Sequence, residues 1–249
     1  MSDQIANQSG RWHVTSVPET GSTNADLLKM GANGAPDRTV LRADYQSAGR
    51  GRLDRTWDAP AGANLLVSIL FRPVPARPHV LTQAVALAAV AVASDLCDVA
   101  VDLKWPNDLL IDGTKVAGIL AQAAPVGSDG MVPFVVVGIG VNLAWAPEGA
   151  TSLSAHGWSH AVSPHEYLLA MLPHVDHVLS LSDEELHHEY VSRVATIGTR
   201  VRAQMPDGND IVGRATDVER DGRLVIIDDC AITHRVDTAD VVHLRPVTE

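Results

Sequence analysis

Ala43-Asp44-Tyr45-Gln46-Ser47-Ala48-Gly49-Arg50-Gly51-Arg52-Leu53-Asp54-Arg55-Thr56-Trp57 is the stretch on which the reading of this chain turns. Glycines at 49 and 51 alternate with arginines at 50 and 52, a third arginine stands at 55, and a tryptophan closes the run. Glycine lets the backbone approach a ligand closely and leaves a segment mobile. Arginine is permanently cationic and grips carboxylate or phosphate as a bidentate fork. Taken alone, the segment reads equally as a loop that folds over an anion and as a basic surface loop or an Arg-Gly nucleic-acid tract.

The composition weighs against nucleic acid as a partner. The 249 residues carry a formal net charge of −11, whereas nucleic-acid binding is dominated by phosphate neutralisation and wants a basic face. A local arginine cluster on an acidic protein points instead to a small anionic ligand. Hydrophobic residues make up 46% and charged residues 20%, as in a soluble globular protein with one large domain or a large plus a small one. Cys97 and Cys230 read as buried free thiols of a cytoplasmic protein, with neither disulfide nor zinc spacing. The N-terminus lacks the basic segment and apolar run of a signal peptide. The apolar run Ala84–Ala93 is too short to span a bilayer and reads as a core helix, so no membrane association is expected.

Outward from the loop, Thr39–Tyr45 is the strand that feeds it, and Asn64–Phe71 is an apolar strand ended by Arg72-Pro73. Upstream, residues 1–10 are polar and expected to be disordered, and Arg11–Val17 alternates as a first strand. Gly21-Ser22-Thr23-Asn24 opens a helix, with Ser22 or Thr23 as N-cap and Asp26 placed to complete a capping interaction. The same helix start offers N–H groups and hydroxyls to a polar ligand. Downstream, His79–Leu96 is a nearly all-apolar helix, buried on most sides.

Val101–Asp108 is a strand that runs into a bend at Pro106. Leu109–Ile111 and Lys115–Leu120 flank Asp112-Gly113-Thr114, a hairpin signal. With Asp112-Gly113 as a two-residue turn, Leu110 faces Lys115, and Asp108 lies on the same face, diagonally one pair along and within a lysine's reach. A three-residue loop would shift that register and separate the pair. Val132–Val137 is a strand ending in Gly138-Ile139-Gly140-Val141-Asn142, where alternating glycines suggest close approach by a ligand or another strand. As a dinucleotide fingerprint the pair fails, lacking the third glycine and the following helix start.

Residues 144–163, with Trp145 and Trp158, read as a long surface loop, functional or disordered. Pro164–Ser180 and Asp183–Ala195 are amphipathic helices. Their histidines, among them His174, His177, His187 and His188, suit solvated faces better than a metal site, since helical ligation favours i, i+4 spacing. From Gly198 onward, short alternating segments separated by Pro-Asp-Gly, Arg-Asp-Gly and Asp-Asp turns read as a small all-β barrel.

Taken together and in order, four stretches resemble the biotin–protein ligases: Gly21-Ser22-Thr23-Asn24, Gln46 through Trp57, Lys104-Trp105-Pro106-Asn107-Asp108 with Lys115–Leu120, and Gly138–Asn142. The resemblance runs roughly from Thr15 to Leu143, and the C-terminal module fits the family's SH3-like cap. It implies an α/β (α+β) fold, with a mixed-sheet catalytic domain over residues 11–197 flanked by helices and a β-barrel over 198–249. That catalytic domain is related to lipoate ligases and class II synthetases. The implied reaction joins biotin to ATP as biotinyl-5′-AMP, with Mg²⁺ neutralising the phosphates. Biotin then passes to one lysine of a biotin carboxyl carrier domain, such as that of acetyl-CoA carboxylase. Preorganised cations suit such a step, because two anions are held together while charge builds on the phosphorus oxygens.

By position, the resemblance gives Ser22, Thr23, Asn24 and Gln46 to biotin's ureido ring. It gives Gly49, Arg50, Gly51 and Arg52 to a loop that closes over the carboxylate and then the phosphate, and Gly118 to close approach of biotin. Lys115 is the expected principal catalytic residue, holding the carboxylate and the α-phosphate beside Arg52. Asp108 is expected to orient the incoming lysine or assist its deprotonation. Lys104 and Asn107 are expected to line the reacting end, and Gly138, Gly140 and Asn142 the nucleotide side. Trp57 and the loop with Trp145 and Trp158 are expected to cover the nucleotide. No metal ligands are assigned to the protein. Asp54 stands where the family often has a third glycine; aspartate takes the left-handed region more readily than most residues and can pair with Arg52 or Arg55. With the catalytic region beginning by Arg11, a monofunctional ligase without a DNA-binding domain is expected. Two rival readings are a lipoyl or octanoyl ligase, against which the Arg-Gly-Arg loop and the C-terminal module argue, and a non-enzymatic biotin- or nucleotide-binding regulator.

Overall fold

A computed structural model describes residues 4–6, 11–53, 55–156, 162–205, 208–237 and 240–243. The first unit runs in chain order through β1 (Gln4–Ala6), β2 (His13–Thr20), α1 (Thr23–Ala32), β3 (Thr39–Gln46), β4 (Leu65–Phe71), α2 (His79–Cys97), β5 (Asp102–Lys104), β6 (Asp108–Ile111), β7 (Thr114–Ala123) and β8 (Val135–Val141). A short 3-10 turn at Leu153–His156 precedes α3 (Pro164–Ser180) and α4 (Asp183–Ser192). Among the described residues, eight strands form one sheet in the order β1-β2-β3-β4-β8-β7-β6-β5. β2 and β3 are parallel and the other neighbours antiparallel, giving the expected mixed sheet flanked by helices.

Strands covered on both faces lose the polar alternation of half-exposed ones, and β4 and β8 are buried along their whole length. Leu65, Val67, Ile69 and Phe71 join the core built on α2 and α3, while Leu70 packs with Leu27 of α1, Leu41, Phe134 and Val136. The same period of two sends Val135, Val137, Ile139 and Val141 of β8 into the α2/α3 core. It leaves Gly138 and Gly140 on the opposite face. α2 is long and apolar enough to cross a membrane, yet two thirds of it is buried in the molecule. Its small residues let α3 come close, and Tyr167 of α3 donates to Ala89 O at 2.6 Å.

Several local expectations are corrected. Gln4–Ala6 are not disordered: they pair antiparallel with His13–Thr15, since the edge of β2 offers unpaired backbone groups. The rest of residues 1–10 lies outside the described residues. The strand at 132–137 begins at Val135 and runs through both glycines to Val141. α3 and α4 start with complete capping boxes, Ser163 with Glu166 and Ser182 with Glu185. α1 has no such cap. Ser22 makes no side-chain capping bond, and Asp26 instead accepts from the Thr20 hydroxyl and pairs with Lys29 at 3.2 Å. α4 ends at Ser192, short of the expected Ala195, and part of the 144–163 loop is the 3-10 turn.

The second unit comprises β9 (Arg200–Gln204), β10 (Asp210–Val218), β11 (Leu224–Asp228), β12 (Thr233–Val236) and β13 (Asp240–His243). They form an antiparallel sheet ordered β12-β11-β10-β9-β13. Its β10–β11 turn docks on the first unit: His79 contacts Arg220 O at 3.1 Å, and Trp105 Nε1 donates to Gly222 O at 3.0 Å. Cys97 is buried as expected, but Cys230 is exposed, because it sits in the turn between β11 and β12.

The Tyr167–Ala89 bond links two core helices without access to water. Tyr167→Phe is expected to lower the unfolding free energy by about 1 kcal/mol, read as a lower midpoint in urea denaturation; an unchanged midpoint would show that the bond adds nothing to stability.

Candidate active site

The face of the sheet turned towards α1 is bare where three glycines meet. Gly118 of β7 lies opposite Gly140 of β8, and Gly138 lies between Leu120 of β7 and Ser68 of β4. A Cβ added at Gly138 would collide with the Asn24 carboxamide, and one at Gly140 with the Trp57 indole. The glycines therefore make a floor that other groups approach closely, which is why this strand alternates glycine with β-branched residues.

At one end of the floor is a pocket of neutral polar groups. Ser22, Thr23 and Asn24, at the start of α1, are all buried. Thr23 donates to Gln46 Oε1 from its backbone N–H (2.7 Å) and its hydroxyl (3.0 Å). Ser68 Oγ lies 2.7 Å from Thr23 Oγ1 and 2.5 Å from Asn24 Oδ1. Asn24 Nδ2 in turn donates to Leu120 O and to Gln122 Oε1, the latter at 2.8 Å. The four residues expected here are thus brought together. Ser68 and Gln122, which sequence reasoning missed, complete the network. Ser68 carried a usable signal, being the one polar residue of β4.

At the other end is a cation–carboxylate pair. Asp112 and Gly113 both have positive φ, as a two-residue type I′ turn requires. Lys115 Nζ lies 2.5 Å from Asp108 Oδ1. The expected contact is present, but the register carries a bulge: Leu110 opposes Lys115, whereas Leu109 opposes Ala117 and Asp108 opposes Gly118. A bulge inserts one unpaired residue and reverses the facing of the residues beyond it. It is this extra residue that puts Lys115 and Gly118 on the same face despite their odd separation. A Cβ at Gly118 would lie 3.1 Å from Lys115 Nζ.

The Gly/Arg loop closes over this end. Gly51 N donates to Arg55 O (2.7 Å), Trp57 N to Gly49 O (2.9 Å), and Arg50 bridges Thr56. A Cβ at Gly49 would strike Trp57 O. Arg52 donates to Asn107 Oδ1 (3.1 Å), and Asn107 is fixed by donating to Ile119 O (2.8 Å). Leu53 holds φ 55° at the loop tip, 57% exposed. Asp54, the departure from the family pattern, lies outside the described residues.

Trp57, expected to cover the nucleotide, lines the cavities at both ends of the floor. Its indole lies on Gly118 and Gly140, with Lys115 Nζ 5.6 Å from the ring centroid, and so occupies the floor between the two ends. Its Nε1 is buried without a hydrogen-bond partner. The indole thus separates a cavity of about 210 Å³ lined by Arg52, Asn107, Asp108, Lys115 and Gly118 from one of about 30 Å³ lined by Ser22, Thr23, Asn24, Gln46 and Gly138. An unpaired buried N–H is costly, and a shape that fills the floor is also one that a ligand must displace.

The remaining assignments divide. Gly51 and Asn142 line the larger cavity, and Arg50 and Gly140 the smaller. Asn142 is, however, engaged at both ends of its amide, with Asn64 (3.2 Å) and Thr151 O (3.0 Å). It therefore ties down the segment after β8 instead of presenting a free amide. Lys104 is not brought to either cavity. Trp145 is half-buried and anchored through its backbone N–H to Asn64, and Trp158 lies outside the described residues. Among the described residues no three His, Cys, Asp or Glu cluster in a way that could hold a metal.

A polar pocket and a cationic clamp on one glycine floor, covered by an Arg-Gly loop, define a ligase that activates a small carboxylic acid. The chain belongs to the biotin/lipoate A/B protein ligase family, whose pattern matches residues 14–142. Residues 196–244 match the biotin protein ligase C-terminal domain. A biotin–(acetyl-CoA-carboxylase) ligase of Mycobacterium tuberculosis is 39% identical over 98% of this chain and 94% of its own length. A bifunctional ligase/repressor of Bacillus subtilis is 31% identical over 82% of this chain and 66% of its own length. Among solved structures, a biotin protein ligase from Aquifex aeolicus in complex with biotin and ATP superposes with a TM-score of 0.79 at 23% identity, covering 93% of this chain and 99% of that one. The biotin protein ligase from Leishmania major with biotinyl-5-AMP gives 0.68 at 21% identity, over 90% and 98%. Those two likenesses speak to fold.

Gly140→Ala is expected to expel the Trp57 indole and loosen the loop, so that trypsin cleaves after Arg50, Arg52 or Arg55 several-fold faster than in the wild type; equal cleavage rates would show that the indole does not hold the loop.

Proposed function

We propose that the chain is an ATP-dependent biotin–protein ligase that activates biotin as biotinyl-5′-AMP and transfers it to a lysine of a biotin carboxyl carrier domain. The observation that carries this is the pairing, on one bare strip of sheet, of a neutral polar pocket with the Lys115–Asp108 and Arg52–Asn107 clamp. Biotin is a neutral, polar ring with a carboxylate on an aliphatic tail. The ring suits the donors and acceptors of Ser22, Thr23, Asn24, Gln46 and Ser68, where each unmatched group would cost about 1–3 kcal/mol. The tail lies along Gly138, Gly140 and Gly118, and the carboxylate reaches Lys115 and Arg52.

In the first step a biotin carboxylate oxygen bonds to the α-phosphorus of ATP, and the bond to the β-phosphate bridging oxygen breaks, releasing pyrophosphate. Lys115 and Arg52 oppose the charge that gathers on the α-phosphate oxygens, a role for fixed cations in a site with little water. Magnesium would neutralise the triphosphate. The cleft offers carboxylates such as Asp108 but, among the described residues, no closed cage, which fits an ion carried mainly by phosphate and water. In the second step the lysine nitrogen bonds to the acyl carbon, the acyl–oxygen bond breaks, AMP leaves with the electron pair, and one proton is released. Asp108, once Lys115 turns to the adenylate, is the carboxylate placed to hold the incoming amine or take that proton. The free thiols Cys97 and Cys230 fit a cytoplasmic setting.

Biotin added to the protein with Mg-ATP is expected to release one equivalent of pyrophosphate in a single turnover, and lipoate is not; silence with biotin would refute the reading. Lys115→Ala is expected to slow adenylate formation by roughly 10²–10³-fold with an unchanged circular dichroism spectrum, and wild-type turnover would remove Lys115 from its role. Because biotin must displace the indole, biotin alone is expected to change the tryptophan emission of the wild type but not of Trp57→Phe.

A further inference from the structure

A third cavity, of about 280 Å³, lies on the far side of the Arg52–Asn107 hydrogen bond. Its walls come from both units: His79, Thr82 and Gln83 of α2, Tyr190 of α4, and Gly222 and Asp237 of the C-terminal sheet and its turns. Arg52, Asn107, Ile119 and Leu120 line both this cavity and the larger cavity of the active site, so the two meet there. Nothing in the adenylation chemistry calls for this space.

Its polar lining is unusual. Gln83 is 6% exposed and Tyr190 4%, yet neither side chain makes a hydrogen bond among the described residues. The carboxamide and the phenol hydroxyl are not among the buried polar atoms cut off from any partner, which leaves them open to the cavity as donors and acceptors for whatever enters it. His79 contacts the Arg220 carbonyl through Nε2, which makes Nε2 the donor and leaves Nδ1 as an acceptor. Burial holds this imidazole below its usual pKa, and hence neutral, and holds the Tyr190 phenol protonated. Asp237, 3.9 Å from Arg223, adds a carboxylate at the rim. Among the described residues Arg52 is the one full cation on the wall, and it is engaged with Asn107. The pocket is therefore rich in acceptors, poor in positive charge and faced by the Trp105 and Tyr190 rings.

We propose that this cavity receives the lysine side chain of the acceptor protein, an aliphatic chain ending in a primary amine, and delivers it to the activated carboxyl group past Arg52 and Asn107. The proposal rests on the ligase reading above. With the adenylate in place, the larger cavity is filled and flanked by Arg52 and Lys115, which repel an ammonium group. An approach through acceptors and aromatic faces avoids that barrier. Movement of Arg52 onto the phosphate breaks its bond to Asn107 and opens the partition, so the path clears when the adenylate forms.

The test separates the two half-reactions. Ala121 is exposed and lines the cavity, so Ala121→Trp fills it from the surface. Ala121→Trp is expected to release pyrophosphate with biotin and Mg-ATP within about two-fold of the wild type, and to transfer biotin to a carboxyl carrier domain at least about ten-fold more slowly. Gln83→Leu combined with Tyr190→Phe is expected to raise the KM for the carrier domain several-fold with adenylation unchanged. Hydroxylamine, too small to need the pocket, should consume the bound adenylate equally in all of them. Wild-type transfer by Ala121→Trp, or an equal loss of the hydroxylamine reaction, would overturn the site. A wild-type protein that releases no pyrophosphate would overturn the ligase reading, and the site with it.

Discussion

The absence of side chains at Gly118, Gly138 and Gly140, on one face of two adjacent strands, is the constraint on which the rest of the site depends. A sheet buried on both faces normally covers itself with apolar side chains. Here β8 does so on its α2/α3 face, and on the other it keeps Val136 at one end but withholds side chains at Gly138 and Gly140. The bare strip brings the start of α1, the end of β3 and the Gly/Arg loop down onto the backbone itself. A Cβ at Gly138 would strike the Asn24 carboxamide, and one at Gly140 the Trp57 indole.

Around that strip the site satisfies most of its own polar groups. Lys115 is neutralised by Asp108, Arg52 is held by Asn107, and Gln46 is used by Thr23. Charged groups already held near their working positions need little reorganisation when a ligand arrives, which is where electrostatic catalysis draws its strength. The exception is Trp57, whose indole fills the strip with an unpaired Nε1. This makes the loop both cover and competitor: its indole fills the floor and must yield to whatever enters.

The two units meet through a small set of contacts. The β10–β11 turn rests on the N-terminal end of α2 through His79 and on Trp105 through the Gly222 carbonyl. Trp105 belongs to the same short segment as Asn107 and Asp108, so the C-terminal sheet braces the bend that supplies both residues to the site. Solved structures of low identity share the fold across nearly their whole length.

Much of this was legible in the chain. Turn chemistry at Asp112-Gly113 foretold the hairpin and the Lys115–Asp108 contact, because a two-residue turn fixes register. The helix start at Ser22, Thr23 and Asn24 and the Arg-Gly loop were legible as ligand-facing, since local residue types dictate backbone freedom and available donors. Features that depend on long-range packing were not. The bulge that places Gly118 beside Lys115 accompanies the pairing of β7 with β8, and strict alternation would have turned Gly118 away. Ser68 and Gln122 enter the polar pocket from strands distant in sequence, Asn142 is taken up by Asn64, Lys104 falls outside the active-site cavities, and Trp57 lies on the floor. Which chemistry the chain carries was set by its residue types, because donors, cations and conformational freedom belong to individual side chains. Which of those groups share a face and a cavity was set only on folding, because register and packing join segments far apart in the chain, as Trp105 and Gly222 do across 117 residues.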